Sequence, residues 1–164
     1  RSPIDSWSLL LTKRADTMED HRGQVAFPGG MIDAEDPDLC ATATRETYEE
    51  VGITPDSLEV IGPLPRFFIP ATQFWVTPVI AVLKETIQKY PVQINSSEIA
   101  ETRWVPLPDF FDPVKYREQS LTHSGYSFMT PVYDFDQMHV WGATAIMIRN
   151  LMERMGRVLD IQTL

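Results

Sequence analysis

Three glutamates and an arginine crowd one short stretch of the chain, Arg45-Glu46-Thr47-Tyr48-Glu49-Glu50. On a helix, Arg45, Glu46, Glu49 and Glu50 fall within an arc of roughly 140°. Glu46 and Glu50, four residues apart, bring two carboxylates together, and such a like-charge pair costs roughly a few tenths of a kcal/mol without a cation between them. Arg45 and Glu49, also four apart, can pair and hold Glu49 in place. A solvated charged face is the plainer account. An exposed helix, however, usually interleaves lysine four residues after glutamate, and none follows here. Gly29 and Gly30 precede the stretch, and a glycine pair lets backbone approach closely or offer carbonyl oxygens. Carboxylates plus a carbonyl are hard ligands that suit Mg2+ or Mn2+ rather than zinc. Ions of that kind bridge phosphate oxygens and polarise an attacking water.

The segment carries its own helix signals. Asp36 reads as the N-cap, Pro37 as the first helical residue and Asp38 as a first-turn acid. Gly52 supplies the stop, so the helix is expected at about Leu39–Val51. Cys40, Ala43, Thr47 and Val51 form its opposite, small-residue face, suited to packing on a sheet. Upstream, Ser6–Lys13 reads as a largely buried strand and Gln24–Phe27 as a short extended piece. Downstream, strands are expected at Leu58–Ile61, Arg66–Ile69, Phe74–Leu83 and Thr102–Val105. Tyr90–Ser97 reads as a polar connection and Pro106–Phe111 as a turn or one helical turn. A hairpin around Pro131 is expected from Tyr126–Met129 and Val132–Phe135. A closing helix at Trp141–Met155 should bury Ile146, Met147, Leu151 and Met155. Strands outnumber helices and helices fall between strand groups, so an α+β fold or an α/β/α sandwich is expected, as one domain over residues 1–164.

The 23 acidic and 14 basic residues leave a net charge of −9, which argues against nucleic acid and anionic membrane as partners. It leaves an anionic small substrate open, because bound divalent cations reverse the local field. A single cysteine, Cys40, excludes an internal disulfide framework and reads as a small core residue. No apolar run approaches the roughly 18–20 residues of a membrane span, and no signal peptide is legible. His21, His123 and His139 share no metal-ligand spacing and read as surface or loop residues. Trp7, Trp75, Trp104 and Trp141 read as core, although an adenine sandwich would use such side chains. Neither a P-loop lysine nor a Ser-His-Asp order stands out.

Gly30, then Asp36, then Arg45-Glu46-Thr47-Tyr48-Glu49-Glu50-Val51-Gly52-Ile53 resembles the Nudix box, a long and specific motif. Asp36 stands where the pattern has Glu, one extra residue separates it from Arg45, and Thr47 replaces an aliphatic. Upstream, Leu10-Leu11-Thr12-Lys13-Arg14-Ala15, Gly23 and Phe27-Pro28-Gly29-Gly30 resemble the additional motif of the coenzyme A pyrophosphatase branch. Glu19 stands where that motif usually has a basic residue. Val76-Thr77-Pro78, Trp104-Val105-Pro106-Leu107 and Trp141-Gly142-Ala143-Thr144 also resemble this branch.

The resemblance implies an α/β/α sandwich around a mixed β-sheet and a hydrolase that splits coenzyme A into 3′,5′-ADP and 4′-phosphopantetheine. It implies Mg2+ or Mn2+ held by Glu46 and Glu50, with Glu49 joining, and by the Gly29 carbonyl. Arg45 would orient Glu49. A general base from a distant loop would be Glu98 or Glu101, each of which also reads as a solvated loop residue. Arg14, Gly23, Phe27 and Gly30 would bind substrate, while Arg14 could equally pair with Asp16 or Glu19. The expected partner is a small, CoA-like nucleoside diphosphate derivative, with a homodimer left open. The expected location is cytoplasmic, with an organelle left open. ADP-ribose or dinucleotides such as NADH are the alternative substrates, and a catalytically silent nucleotide-binding module is the alternative class.

Overall fold

The computed structural model describes residues 4–17, 22–86, 91–123 and 125–159. Glu19, His21 and part of the Tyr90–Ser97 connection lie outside the described residues. In chain order the elements are β1 (Ser8–Arg14), β2 (Val25–Ala26), α1 (Leu39–Val51), β3 (Leu58–Pro63), β4 (Phe67–Ile69) and β5 (Phe74–Val76). There follow β6 (Val79–Leu83), β7 (Ile99–Pro106), β8 (Tyr116–His123), β9 (Tyr126–Phe135), β10 (Met138–Val140) and α2 (Gly142–Leu159). These elements make the fold α+β. Two compact units divide the chain: Arg1–Lys13, Gly23–Phe27 and Arg103–Leu164 form the first, Arg14–Arg22 and Pro28–Thr102 the second.

In the first unit, β1 pairs antiparallel with β2, Thr12 opposite Ala26, in a sheet of order β2-β1-β7. A second sheet, β10-β9-β8, is antiparallel throughout its described register. Its β8–β9 register runs to His123 opposite Tyr126, and Pro131 stands mid-strand in β9 opposite Glu118, correcting the expected turn at that proline. Asp134 donates its N–H to the Lys115 carbonyl, so with a period of two the Pro131 nitrogen faces the other edge. β10 covers that edge only from Tyr133 to Phe135, so the missing N–H of Pro131 interrupts no ladder. Helix α2 packs on β9 through Thr144, Ala145, Ile148, Met152 and Gly156. The expected stripe is therefore rotated, and Ile146, Met147, Leu151 and Met155 are only half-buried. Ile148, Leu11, Val105 and Val140 are essentially inaccessible, each worth about 1.5–3 kcal/mol of burial. In the same core Phe110 meets both Tyr133 and Phe135 edge to face, its centroid 4.9 Å from that of Phe135, while Tyr133 and Phe135 stack on each other.

In the second unit, α1 occupies its expected range and lies against β3 and β6, which pair from Leu58–Leu83 to Pro63–Val79. Cys40, Ala43 and Thr47 are half-buried and Val51 fully buried. The expected strand Phe74–Leu83 is broken at Thr77–Pro78, where proline lacks an N–H, and Leu64 donates instead to the Pro78 carbonyl at 2.8 Å. One cap assignment changes and the other stands. Asp38, not Asp36, is the N-cap: its carboxylate accepts from the Ala41 N–H at 2.8 Å. Gly52 ends the helix at φ +72° and donates to the Tyr48 carbonyl at 2.9 Å. A Cβ there would come within 2.9 Å of the Gln93 Cβ. Gln93 and Asn95 donate their N–H groups to the Val51 and Glu50 carbonyls at 3.0 and 2.9 Å, satisfying last-turn acceptors and fastening the 91–98 loop to the helix end. Among the described residues, no helix is long and apolar enough to cross a membrane.

The cap assignment has a direct test. Asp38→Ala is expected to lower the unfolding free energy by about 1 kcal/mol in urea denaturation.

Candidate metal centre

Arg45 is the hub of the acidic helix. Its Nε and NH2 donate to Asp36 Oδ1 and Oδ2 at 3.0 and 2.9 Å, the forked geometry that makes guanidinium–carboxylate pairs strong. Its NH1 donates to Glu46 Oε1 at 2.9 Å and to Glu49 Oε2 at 3.0 Å. NH2 also reaches the Met31 carbonyl at 3.0 Å. The hydrogen bond from Arg45, helped by the Asp33 N–H, holds the Asp36 carboxyl far below the usual carboxylate range, and Asp36 in turn, with Glu46, raises Arg45 further. Asp36 thus anchors Arg45 rather than capping the helix. Thr47, at a position where an aliphatic was expected, returns its hydroxyl to the Ala43 carbonyl at 2.7 Å and leaves its methyl free to pack.

Glu50 has no share in this network. Its residue is 3% exposed, and its Oε2 is buried without any hydrogen-bond partner. Burial pushes its carboxyl up to about 7, and the charges of Glu46 and Glu98 push the same way. Arg14 and a hydrogen bond from the Gly29 backbone oppose that rise. A buried, unsatisfied carboxylate oxygen is costly unless something meets it. The two glycines differ in kind. A Cβ at Gly30 would collide with both carboxylate oxygens of Glu46, whereas one at Gly29 would meet nothing. Gly30 is therefore a cradle for the Glu46 carboxylate. The orphaned Glu50 oxygen, the cradled Glu46 and the all-oxygen donor set fit a hard divalent cation. Among the described residues, no three His, Cys, Asp or Glu side chains already converge closely enough to hold an ion. Arg45 draws Glu46 and Glu49 toward itself, so ligation requires those carboxylates to be shared between guanidinium and metal.

Of the other expected site residues, Arg14 and Glu98 sit within the electrostatic reach of Glu50, and Arg14 Nε is buried without a partner. Glu98 accepts from Asn95 Nδ2 at 3.1 Å, and its carbonyl accepts from the Ala15 N–H at 2.8 Å. Glu101 is half-buried in β7 and makes interactions of its own. Gly23 and Phe27 belong to the first unit, Gly23 at φ +64° and Phe27 packed against the core there. The tryptophans depart from expectation: Trp7, Trp75 and Trp141 are exposed, and only Trp104 is partly buried. Trp75 lies under the Arg66 guanidinium, 4.7 Å from ring centroid to Cζ. His139 was read as a surface residue, and it is exposed but tethered to Asp134 through Nδ1 at 2.5 Å.

Two expectations follow. Gly30→Ala should weaken Mn2+ binding by about tenfold to a hundredfold, with thermal unfolding unchanged, while Gly29→Ala should bind nearly as the parent does; calorimetric titration of both decides this. Because the folded-state pKa of Glu50 lies above its ordinary 4.5, the native state binds a proton that the unfolded chain releases between those values. In EDTA, the melting temperature should therefore fall as pH rises from about 4.5 to about 7 through this group and level off above. Glu50→Gln should remove that component.

A family model described as NUDIX domain matches residues 4–124. Among curated relatives, the Uncharacterized Nudix hydrolase NudL of Enterobacter sp. (strain 638) is 37% identical over 148 residues, covering 90% of this chain and 75% of the relative. Its counterpart in Cronobacter sakazakii is 38% identical over the same shares. Of solved structures, the NUDIX domain of Shewanella oneidensis NrtR, complexed with ADP ribose, matches 90% of this chain and 77% of its own at a TM-score of 0.54 and 19% identity, which speaks to the fold. The M. smegmatis Nudix hydrolase RenU matches 62% of each chain at a TM-score of 0.50 and 28% identity. A domain match across most of the chain, joined to these relatives, makes the protein a member of the NUDIX family, hydrolases that act on pyrophosphate bonds and generally use divalent metal ions.

Proposed function

We propose that this Nudix hydrolase cleaves the diphosphate of coenzyme A or its derivatives, giving 3′,5′-ADP and (acyl-)4′-phosphopantetheine, with Mg2+ or Mn2+. The observation that carries the substrate assignment concerns Arg14. It belongs to the Leu10–Gly23 stretch that resembles the CoA branch, its charge acts on Glu50, and its buried Nε has no partner. A guanidinium N–H left open beside a carboxylate centre suits a phosphate oxygen.

In this reading Glu46, Glu50 and Glu49 hold the cation with help from the Gly29 carbonyl. The bound ion supplies charge neutralisation of the diphosphate and polarisation of water. Arg45 positions Glu46 and Glu49. Arg14 orients the diphosphate so that water attacks phosphorus in line. Glu98 takes the proton of that water as the P–O bond to the leaving phosphate breaks. Glu98 is preferred to Glu101 because its charge is felt at Glu50, and because the 91–98 loop is fastened to the end of α1.

Incubation with CoA, acetyl-CoA, ADP-ribose and NADH plus Mg2+ or Mn2+ should show CoA compounds cleaved fastest. Preference for ADP-ribose or NADH would refute the CoA assignment and leave the hydrolase class standing. Binding without turnover of any diphosphate would favour a silent nucleotide-binding module. Glu98→Gln should lower kcat by about a hundredfold or more, and Glu101→Gln should not. Glu50→Gln should lose most activity with the fold retained.

A further inference from the structure

Asn95 opens the turn that carries Glu98, and each of its polar groups is engaged there. Its carbonyl accepts from the Glu98 and Ile99 N–H groups at 3.0 and 2.8 Å. Its own N–H donates to the Glu50 carbonyl at 2.9 Å, in the last turn of α1. In the side chain, Oδ1 accepts from the Ser97 N–H at 3.2 Å and from the Ser97 hydroxyl at 2.6 Å. Nδ2 donates to Glu98 Oε1 at 3.1 Å. Asn95 and Glu98 are both half-buried.

The network fixes which way the amide points. A backbone N–H can only donate, so the atom facing the Ser97 N–H is the oxygen. The atom facing the Glu98 carboxylate is then the NH2 group. An aspartate would form the same turn, because the turn asks only for a side-chain acceptor. Turn formation therefore accounts for Oδ1 and leaves Nδ2 without a reason. Nδ2 holds one carboxylate oxygen of Glu98, in a bond strengthened by the charge of its acceptor. The Ala15 N–H holds the carbonyl of the same residue at 2.8 Å, so Glu98 is tethered through backbone and side chain alike.

We infer that Asn95 is a positioning residue for the hydrolysis: its Nδ2 holds Glu98 Oε1 and leaves Oε2 for the attacking water. Its backbone N–H sets that carboxylate in a fixed place relative to the end of α1 that carries Glu50. The inference rests on the reading of Glu98 as the base.

The test uses the full chain with Mn2+ and whichever of CoA, acetyl-CoA, ADP-ribose and NADH is cleaved fastest. Asn95→Asp keeps the turn, loses the donor and sets a second carboxylate against Glu98. Its kcat should fall by about tenfold to a hundredfold, with KM within about twofold of the parent. Calorimetry should show Mn2+ binding retained. Ser97→Ala removes a hydrogen bond of the turn but not Nδ2, and should keep the parental kcat. Added to Glu98→Gln, Asn95→Asp should cost no further activity. The melting temperature lowered by Asn95→Asp alone should recover in that double variant, because the new amide donates to the new carboxylate. Parental kcat in Asn95→Asp, with Glu98→Gln slow, would overturn the role of Asn95 and leave Glu98 as the base. Loss of Mn2+ binding together with kcat would also overturn it, assigning Asn95 to the helix end alone. Parental kcat in Glu98→Gln would instead remove the base reading, and this inference with it.

Discussion

The arrangement turns on one guanidinium shared among three carboxylates. Arg45 grips Asp36 with a fork and reaches Glu46 and Glu49 with its remaining amine. Each pair alone, half exposed, would contribute little. Together they fix where the helix carboxylates point and tie the 31–36 loop to the helix through Asp36 and Met31. One cation among three anions leaves the centre short of positive charge, and that deficit is what a divalent ion would fill.

Glu50 makes the deficit consequential. It lies outside the grip of Arg45, nearly inaccessible, with one oxygen unmet. Fastened at its C-terminal end by Gln93 and Asn95, the helix cannot simply turn Glu50 to solvent. The same fastening sets the strand of backbone that leads to Glu98, and Ala15 clips that backbone beside Arg14. A stability defect at one buried carboxylate is thus coupled to the positions of a candidate base and a candidate phosphate ligand.

Much of this was legible in the residues. Helix periodicity placed Arg45, Glu46, Glu49 and Glu50 on one side, and Gly52 marked the stop, because both signals are local. Asp36 looks like a cap because it precedes a proline, and its partner nine residues on is found only once the loop is folded. Gly29 and Gly30 look alike in sequence, yet only Gly30 faces a side chain, a distinction made by the path of the loop. Pro131 suggested a turn because the uncovered edge of β9, which tolerates a proline, arises from the short length of β10. The exposed tryptophans were read as core from hydrophobicity alone, which does not tell which face of a strand is covered.

If Glu50 is a ligand of the metal ion, it gives up a proton as the ion binds. Calorimetry of Mn2+ binding in buffers of different ionisation enthalpy counts the protons released. Since burial pushes the Glu50 carboxyl up to about 7, close to one proton should be released per ion at about pH 6 and almost none at about pH 8.5, with the release abolished in Glu50→Gln. Mn2+ binding with no proton release at either pH, and with equal affinity in Glu50→Gln, would contradict it.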